Sequence, residues 1–181
     1  MDMYQSNLTS LQEGILRFLF TQHPRRFNGR AIASRLSVSQ TAIHNSLPTL
    51  EKEGLIIVEK DKESKRLSIG LNKDNPRTFH LKRVENLRNI YESGLARTLA
   101  ERFPGATIIL FGSYSFGEDT TESDVDITVI GYNPKRIDLQ DIETILERKI
   151  HLNFFKTIGD IEKNLKENIL NGMILSGGIT L

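Results

Sequence analysis

The hydrophobic positions of residues 8–71 follow a helical period three times and then a strand period twice. A first helix, which Ser10 can cap, has its apolar residues on one face: Leu11, Ile15, Leu16 and Leu19. A short helix, GRAIASRL, and a longer one between Ser39 and Gly54 follow the break at HPRRFNG. Pro48 interrupts the longer helix, so we expect a kink or an early break there. The alternating segments IIVEK and RLSIGL predict a hairpin joined by DKES.

The pattern changes after the turn cluster NKDNP, where Pro76 marks a domain boundary. A long linking helix is predicted over 79–103, with an apolar stripe typical of a core or a dimer interface: Leu81, Val84, Leu87, Tyr91, Leu95 and Leu99. The strands ATIILFGS, SDVDITVIG and IHLNFF then alternate with the helices LQDIETILERK and DIEKNLKENILNG. This order indicates an α/β fold. We therefore predict two domains, 1–76 and 77–181.

Charge is distributed unevenly between these segments. Residues 1–76 and 77–103 each carry a net charge of +3, whereas residues 104–181 carry −5. A basic N-terminal segment is compatible with binding nucleic acid, and an acidic C-terminal segment is compatible with binding cations. The sequence has no cysteine and no apolar run long enough to cross a bilayer, and we expect no signal peptide, because its first residues lack the basic and apolar regions of one. We expect a cytoplasmic protein with no membrane partner.

The segment AIASRLSVSQTAIHNSLPTLEKEGLI and the hairpin EKDKESKRLSI resemble the winged helix-turn-helix domains of transcriptional regulators. The resemblance covers nearly all of residues 8–71 and implies that the third helix enters the major groove of DNA. It would present four polar side chains to base edges: Gln40, Thr41, His44 and Asn45. Three cations of the wing could contact phosphate: Lys62, Lys65 and Arg66. The alternative is a domain that mediates protein contacts or homodimerisation only.

The segment FGSYSFGEDTTESDVDITVI combines a glycine turn with paired carboxylates. Gly112 follows an apolar strand and lets the backbone approach a ligand, and Ser113 opens a helix whose free N–H groups favour phosphate. Asp124 and Asp126 are two apart on a strand, so both carboxylates project from one face. Such a pair needs a cation, and Mg²⁺ suits carboxylates that are shared with phosphate oxygens.

Gly112-Ser113, Gly117 and Ser123-Asp124-Val125-Asp126 closely resemble the signature of the DNA polymerase β-like nucleotidyltransferase superfamily, in particular its minimal nucleotidyltransferases. The resemblance extends over about residues 80–181 and implies a small mixed sheet flanked by helices. It implies ATP as donor and Mg²⁺ (or Mn²⁺) held by Asp124 and Asp126. The nucleotide contacts would fall on four motif positions: Gly112, Ser113, Gly117 and Ser123. It also implies an antitoxin-like role, in which a toxin-like partner protein is the acceptor.

Two positions depart from the family pattern. The basic residue that often precedes the second glycine is replaced by Phe116, and the strand KIHLNFF lacks the third acidic residue of active members. Alternation places His151 on the face where that acid would stand, and a neutral imidazole can act as a general base. Three hypotheses remain: a nucleotidyltransferase that modifies a protein or small-molecule hydroxyl, a catalytically inactive nucleotide-sensing regulator, and a partner-binding module.

Overall fold

A computed structural model describes residues 8–60 and 66–179. The chain divides into two compact units, Met1–Thr78 and Phe79–Leu181. The first is a winged helix and the second a mixed α/β fold, which confirms the predicted fold class. The wing-tip residues Lys62 and Lys65 lie outside the described residues. No helix in the described ranges combines the length and apolarity needed to cross a bilayer.

The first unit contains the predicted helix, helix-turn-helix and hairpin. Its elements are α1 (Ser10–Thr21), α2 (Gly29–Leu36), α3 (Gln40–Lys52), β1 (Ile56–Lys60) and β2 (Leu67–Leu71), and the two strands pair antiparallel. Thr9 caps α1 in place of Ser10, because the Thr9 hydroxyl accepts from the Gln12 amide at 3.3 Å while Gln12 Oε1 accepts from the Thr9 amide at 2.8 Å. This reciprocal capping box needs a partner three residues into the helix, which Gln12 supplies to Thr9.

A kink or an early break was expected at Pro48, and the early break is wrong, since α3 runs through Pro48 to Lys52. Pro48 lies on the exposed face of α3, whereas Leu47 and Leu50 are buried. Water can therefore satisfy the carbonyl that Pro48 leaves without a donor, and the buried leucines on either side hold the helix together.

The single long helix predicted over 79–103 is also wrong. The structure has α4 (Pro76–Glu92) and α5 (Leu95–Arg102), separated at Ser93 and Gly94. Gly94 has φ of +80°, a left-handed conformation that ends one helix and that glycine adopts without strain.

The second unit contains a four-stranded sheet in the order β5-β4-β3-β6. The strands are β3 (Thr107–Phe111), β4 (Val125–Ile130), β5 (Ile150–Phe155) and β6 (Met173–Ser176), and only the β4–β5 pair is parallel. The helices between them are α6 (Gly112–Phe116), α7 (Gln140–Leu146), a short 3₁₀ turn (Ile158–Asp160) and α8 (Lys163–Leu170). The sequence did not predict β6, and it started the last helix too early because residues 158–160 form the 3₁₀ turn.

Strand alternation in β4 determines which residues reach the candidate site. Val125, Ile127 and Val129 are fully buried in the larger core, which includes Leu95 and Leu99 of α5. Asp126, Thr128 and Ile130 therefore point to the opposite face of the sheet. That face carries a smaller core in which β3 and α8 meet, formed by Ile109, Phe111, Ile161 and Ile169.

Candidate active site

Two adjacent strands, β4 and β5, bring the candidate catalytic residues together. Asp126 pairs with Phe111 of β3 on one side and with His151 of β5 on the other. Asp124 stands immediately before β4, and its Oδ2 atom lies 3.5 Å from Nε2 of His151. The structure therefore places His151 beside both aspartates, on the face that strand alternation predicted.

The two carboxylates have different surroundings. Asp124 has a side-chain exposure of 42%, whereas Asp126 is half-buried. Burial raises the pKa of Asp126 above its ordinary value, and the neighbouring Asp124 raises it further, while His151 acts in the opposite direction. A cation between the Asp124 and Asp126 carboxylates would offset the repulsion between them and favour the ionised form of both.

Gly112 is required by its contact with Asp126. Its φ is +73°, and a Cβ atom there would lie 2.7 Å from Asp126 Oδ2. The turn after β3 therefore passes close to a carboxylate of the candidate site, with no side chain between them. This leaves Asp126 accessible to a ligand that approaches the Gly112 backbone.

The residues present fit a divalent cation that is shared with a substrate. Asp124 and Asp126 offer carboxylate oxygens, the donors that Mg²⁺ prefers. Within 8–60 and 66–179, no group of three or more His, Cys, Asp or Glu side chains is arranged to hold a metal ion. Two carboxylates alone leave coordination positions for phosphate oxygens and water, as in sites where Mg²⁺ arrives with a nucleotide.

The other motif residues have structural partners. A Cβ atom on Gly117 would lie 2.6 Å from the Phe79 carbonyl oxygen and 2.7 Å from the Arg83 amide, so this glycine permits close packing on α4. Ser123 Oγ accepts from the Thr120 amide at 2.9 Å and closes the loop before Asp124. Ser113 is half-buried, and its carbonyl accepts from the Glu118 amide at 3.0 Å. These contacts shape the loop, and the predicted nucleotide contacts of the three residues remain predictions.

A cation also lies near the position where the family often has a basic residue. The guanidinium carbon of Arg83 is 5.6 Å from the centre of the Phe116 ring, which brings an α4 cation onto this turn. Arg83 could not be predicted from the sequence pattern, because it lies more than thirty residues before Phe116.

Two further polar residues, Thr128 and Asn153, extend the row. Thr128 follows Asp126 on the same face of β4 and pairs in register with Asn153 of β5. Thr128 is fully buried, and its hydroxyl oxygen has no hydrogen-bond partner among the described residues. Alternation in β4 and β5 contained this signal, since both residues are two positions beyond a predicted site residue.

Glu143 of α7 positions the start of β5. Its Oε1 atom accepts from the Ile150 amide at 2.9 Å, and its Oε2 atom lies 2.8 Å from Lys149 Nζ. The hydrogen bond from Lys149 is the main cause that lowers the pKa of Glu143, and the bond from the Ile150 amide lowers it further. The hydrogen bond with Glu143 in turn raises the pKa of Lys149. The anchored backbone immediately precedes His151, so Glu143 restricts where that imidazole can lie.

A cavity of about 430 Å³ opens beside Asp124. Loop 121–124 forms one wall and the region from Gln140 to Lys149 forms the other, with Glu143 and Glu147 among its carboxylates. The cavity is large enough for part of a nucleotide or for an acceptor group, and it adjoins the carboxylate that contacts His151.

The polar residues predicted to contact DNA lie on the exposed face of α3, namely Gln40, Thr41, His44 and Asn45. Gln40, His44 and Arg66 also line a cavity of about 390 Å³, together with Asn28 and Arg30 of the α2 start. Arg30 was not predicted, because its helix shows no special spacing and only the fold brings it near Arg66. Lys62 and Lys65 lie outside the described residues.

Comparisons with known proteins identify both units. Residues 92–176 match the model of a nucleotidyltransferase domain, and residues 12–63 match the model of a helix-turn-helix (HTH) domain. No curated protein matches the sequence significantly.

Solved structures similar to this chain include three bacterial proteins. A ZitR variant from Lactococcus lactis has 20% identity and a TM-score of 0.42, over 57% of this chain and 67% of that one. AdcR from Streptococcus pyogenes has 21% identity and a TM-score of 0.42, over 54% and 69%. MepR from S. aureus, in a complex with DNA, has 25% identity and a TM-score of 0.40, over 54% and 67%. On the two domain matches, this chain carries a nucleotidyltransferase domain preceded by an N-terminal helix-turn-helix domain.

Proposed function

We propose that the second unit binds Mg-ATP at Asp124 and Asp126 and transfers a nucleoside monophosphate to a hydroxyl of a protein or small molecule. The observation that carries this proposal is the convergence of three residues from two strands, with His151 Nε2 3.5 Å from Asp124 Oδ2. The Gly112 backbone passes close to the Asp126 carboxylate with no side chain between them, which supports the approach of a phosphate-bearing ligand to this turn. The arrangement matches the needs of phosphoryl chemistry, in which positioning and charge stabilisation provide most of the catalysis.

The proposed reaction transfers the α-phosphoryl group of ATP to an acceptor hydroxyl. The acceptor oxygen bonds to the α-phosphorus of ATP as the bond between that phosphorus and the bridging oxygen breaks, and pyrophosphate leaves. His151 takes the hydroxyl proton, because a neutral imidazole is a base that works near neutral pH. Asp124 and Asp126 would hold the cation, and the cation would supply charge neutralisation at the phosphate when bound.

A second candidate function is nucleotide sensing without transfer. The contact between His151 and Asp124 favours it, since a protonated imidazole would supply positive charge to the carboxylate and need not accept a proton. The site would then bind a nucleotide and remain bound to it. Transfer and sensing share the donor site and differ only in what His151 does.

We also propose that the first unit binds DNA through α3 and Arg66. The exposed polar face of α3 and the cations Arg30 and Arg66 around one cavity support this assignment. Arg66→Ala should weaken binding to all sequences and reduce its salt dependence, whereas Gln40→Ala or Asn45→Ala should relax sequence preference. Lys52→Ala, an exposed cation at the end of α3, is the matched control. The absence of any DNA affinity at low salt would contradict the assignment.

The donor site is tested by melting temperature with and without Mg-ATP. Ligand binding should raise it by mass action, and Asp124→Asn combined with Asp126→Asn should abolish the rise. The control is Asp141→Asn combined with Glu167→Gln, which makes the same charge change at exposed carboxylates outside the cavity. A rise that persists in the Asp124/Asp126 variant would place the metal elsewhere.

Transfer is tested with ATP labelled at the α-phosphate, followed by detection of label on proteins and small molecules of a cell extract. His151→Ala should remove transfer and leave Mg-ATP affinity nearly unchanged, because the base acts on the acceptor. His151→Asp, which introduces the acid of the family pattern, should preserve or raise transfer. If only His151→Asp transfers label, the native protein is a nucleotide sensor.

A further inference from the structure

The strand β5 lies at one edge of the four-stranded sheet and turns backbone groups outwards. In the part of the chain that the structure describes, β5 pairs only with β4. The Lys149 and Phe155 carbonyls accept from the first residue of β4 and from the residue after its end. Every second residue from Lys149 therefore turns its N–H and C=O groups towards β4. The residues between them, Ile150, Leu152 and Phe154, turn theirs to the free edge.

Most of these outward backbone groups have no hydrogen-bond partner. The Ile150 amide donates to Glu143 Oε1 at 2.9 Å, in agreement with its outward direction. The amides and carbonyls of Leu152 and Phe154 make no hydrogen bond within residues 8–60 and 66–179. Such an edge is a template for a further strand, because each free N–H and C=O group can pair with an extended segment.

A cavity of about 740 Å³ lies along this edge. It is lined by Ile150, Leu152 and Phe154 of β5 and by loop 134–139, which includes Ile137. These four apolar side chains pack against the larger core and are only partly buried. We name the surface formed by loop 134–139 and these β5 residues the β5 groove. An added strand would point every second side chain into this groove, where apolar side chains would lose contact with water.

The β5 groove has unpaired cations. Lys135 and Arg136 are exposed, and neither has an ion-pair partner among the described residues. The two carboxylates that line the groove are already engaged, since Asp138 accepts from the backbone amide two residues on and Glu143 is paired with Lys149. Acidic residues at the ends of a bound segment would therefore complement the charge of the groove.

We propose that the β5 groove binds an extended, acidic segment of another protein, which adds as a fifth strand beside β5. The apolar side chains of the segment alternate into the cavity, and its acidic ends lie near the two unpaired cations. The groove shares Gln140, Glu143 and Lys149 with the cavity beside Asp124, so the bound segment lies next to the candidate active site. Binding in the groove does not depend on nucleotide transfer.

The probe for this site is the fluorescein-labelled peptide Asp-Glu-Val-Thr-Val-Thr-Val-Glu-Asp, added to the full chain. Fluorescence anisotropy should show a dissociation constant on the order of 100 µM. Lys135→Glu combined with Arg136→Glu should weaken binding by at least about tenfold. Arg97→Glu combined with Lys163→Glu is the matched control, because these cations are also exposed and lie outside the groove. An absence of binding up to about 1 mM, or an equal loss in the control, would overturn the proposal.

Methylation of the peptide backbone tests the addition of a strand. In an extended peptide the valine amides point to one edge and the threonine amides to the other. Methylating two valine amides removes donors that an antiparallel added strand needs, and methylating both threonine amides removes those of a parallel one. One of the two methylated peptides should therefore lose binding while the other keeps it. An equal effect of both methylations would overturn the added strand.

Amide hydrogen exchange, followed by NMR, tests the location. The amides of Leu152 and Phe154 should exchange at least about tenfold more slowly when the peptide is bound. The amides of His151 and Asn153 point to β4 and should be protected in both states, so they are the internal control. Binding without slower exchange at Leu152 and Phe154 would place the peptide elsewhere and overturn the proposal. Protection that rises with protein concentration alone would assign the edge to a second copy of this chain and would also overturn it.

Discussion

Asp119→Asn should destabilise the second unit more than any exposed substitution, because the Asp119 carboxylate is the anion of a buried ion cluster. Lys82 donates to Asp119 Oδ1, Asn86 donates to the same oxygen at 2.6 Å, and Arg148 Nη2 lies 3.5 Å from Oδ2. The Asp119 and Lys82 side chains are 1% and 0% exposed, and that of Arg148 is 4% exposed. The substitution would leave the Lys82 ammonium buried without an anion.

The magnitude follows from the cost of an unpaired buried charge. Removing one partner of a buried pair costs about 3–5 kcal/mol. The second unit has roughly 100 residues, a size at which each kcal/mol shifts the melting temperature by about 4–8 °C. We therefore expect melting to fall by about 12 °C or more.

The assay is chemical and thermal unfolding followed by circular dichroism, with a surface pair as control. Lys149 is 73% exposed and pairs with Glu143 at 2.8 Å, so Lys149→Met should cost about 1 kcal/mol or less. If Asp119→Asn costs no more than this control, the cluster does not stabilise the fold and the reasoning fails.

The pH dependence of Asp119→Asn provides a second check. Burial lowers the pKa of Lys82, and Asp119 is the neighbour that raises it, so the substitution lowers the pKa further. The unfolded chain then binds more protons than the folded one over a wider range of pH, and stability rises with pH across that range. The variant should recover part of its lost stability at alkaline pH, relative to the wild type. A stability difference that is constant between neutral and alkaline pH would mean that Lys82 stays protonated or is not left unpaired.

Three further outcomes are expected. Gly112→Ala should lower Mg-ATP affinity in titration calorimetry, because its Cβ would lie 2.7 Å from Asp126 Oδ2 in a backbone of φ +73°; unchanged affinity would remove Gly112 from the site. Thr9→Ala should cost the first unit about 1 kcal/mol in unfolding experiments by removing the capping box, and a neutral result would mean that the α1 end frays. The Mg²⁺ affinity should fall as the pH is lowered, because protonation of Asp126 removes a carboxylate ligand. Since the pKa of Asp126 is raised, this fall should begin at a higher pH than it would for an ordinary aspartate, and a fall that begins only at the pKa of an ordinary aspartate would contradict this.

Much of the fold could be predicted because local sequence and tertiary structure agree. The helices and hairpin of the first unit have clear periods, and Ser39 caps α3 as expected, accepting from the Ala42 amide at 3.1 Å. The strand β6 was missed because only four residues, Met173–Ser176, form it. A period cannot be read from so short a segment, and its place beside β3 is a long-range property.

The helix α4 could not be assigned correctly from its pattern alone. An apolar stripe usually marks the buried side of a helix, yet Val84 and Tyr91 are exposed while Lys82 and Asn86 are buried. The partner that makes this possible is Asp119, more than thirty residues away. A local hydrophobic period cannot reveal a buried carboxylate that comes from a distant loop. The helix end at Gly94 was missed because the apolar stripe continues regularly on both sides of it.

The candidate site was more predictable than the helix that supports it. Alternation placed Asp126 and His151 on one face of their strands, and the structure pairs them directly in the parallel register of β4 and β5. The register itself could not be predicted, because alternation within one strand does not say which residue of a second strand lies opposite it. Their roles in binding and transfer remain predictions.

The geometry of the site depends on the Asp119 cluster as well as on the sheet. Asp119 belongs to the loop between Gly117 and Asp124, Lys82 and Asn86 belong to α4, and Arg148 stands three residues before His151. One carboxylate therefore ties the segment that leads to Asp124 to the segment that leads to His151. Both of these segments contact the Asp119 carboxylate. The distance of 3.5 Å between Asp124 Oδ2 and His151 Nε2 is therefore constrained by residues outside the strands that carry Asp126 and His151. A buried polar cluster specifies such a position better than apolar packing, since each hydrogen bond fixes a direction as well as a distance.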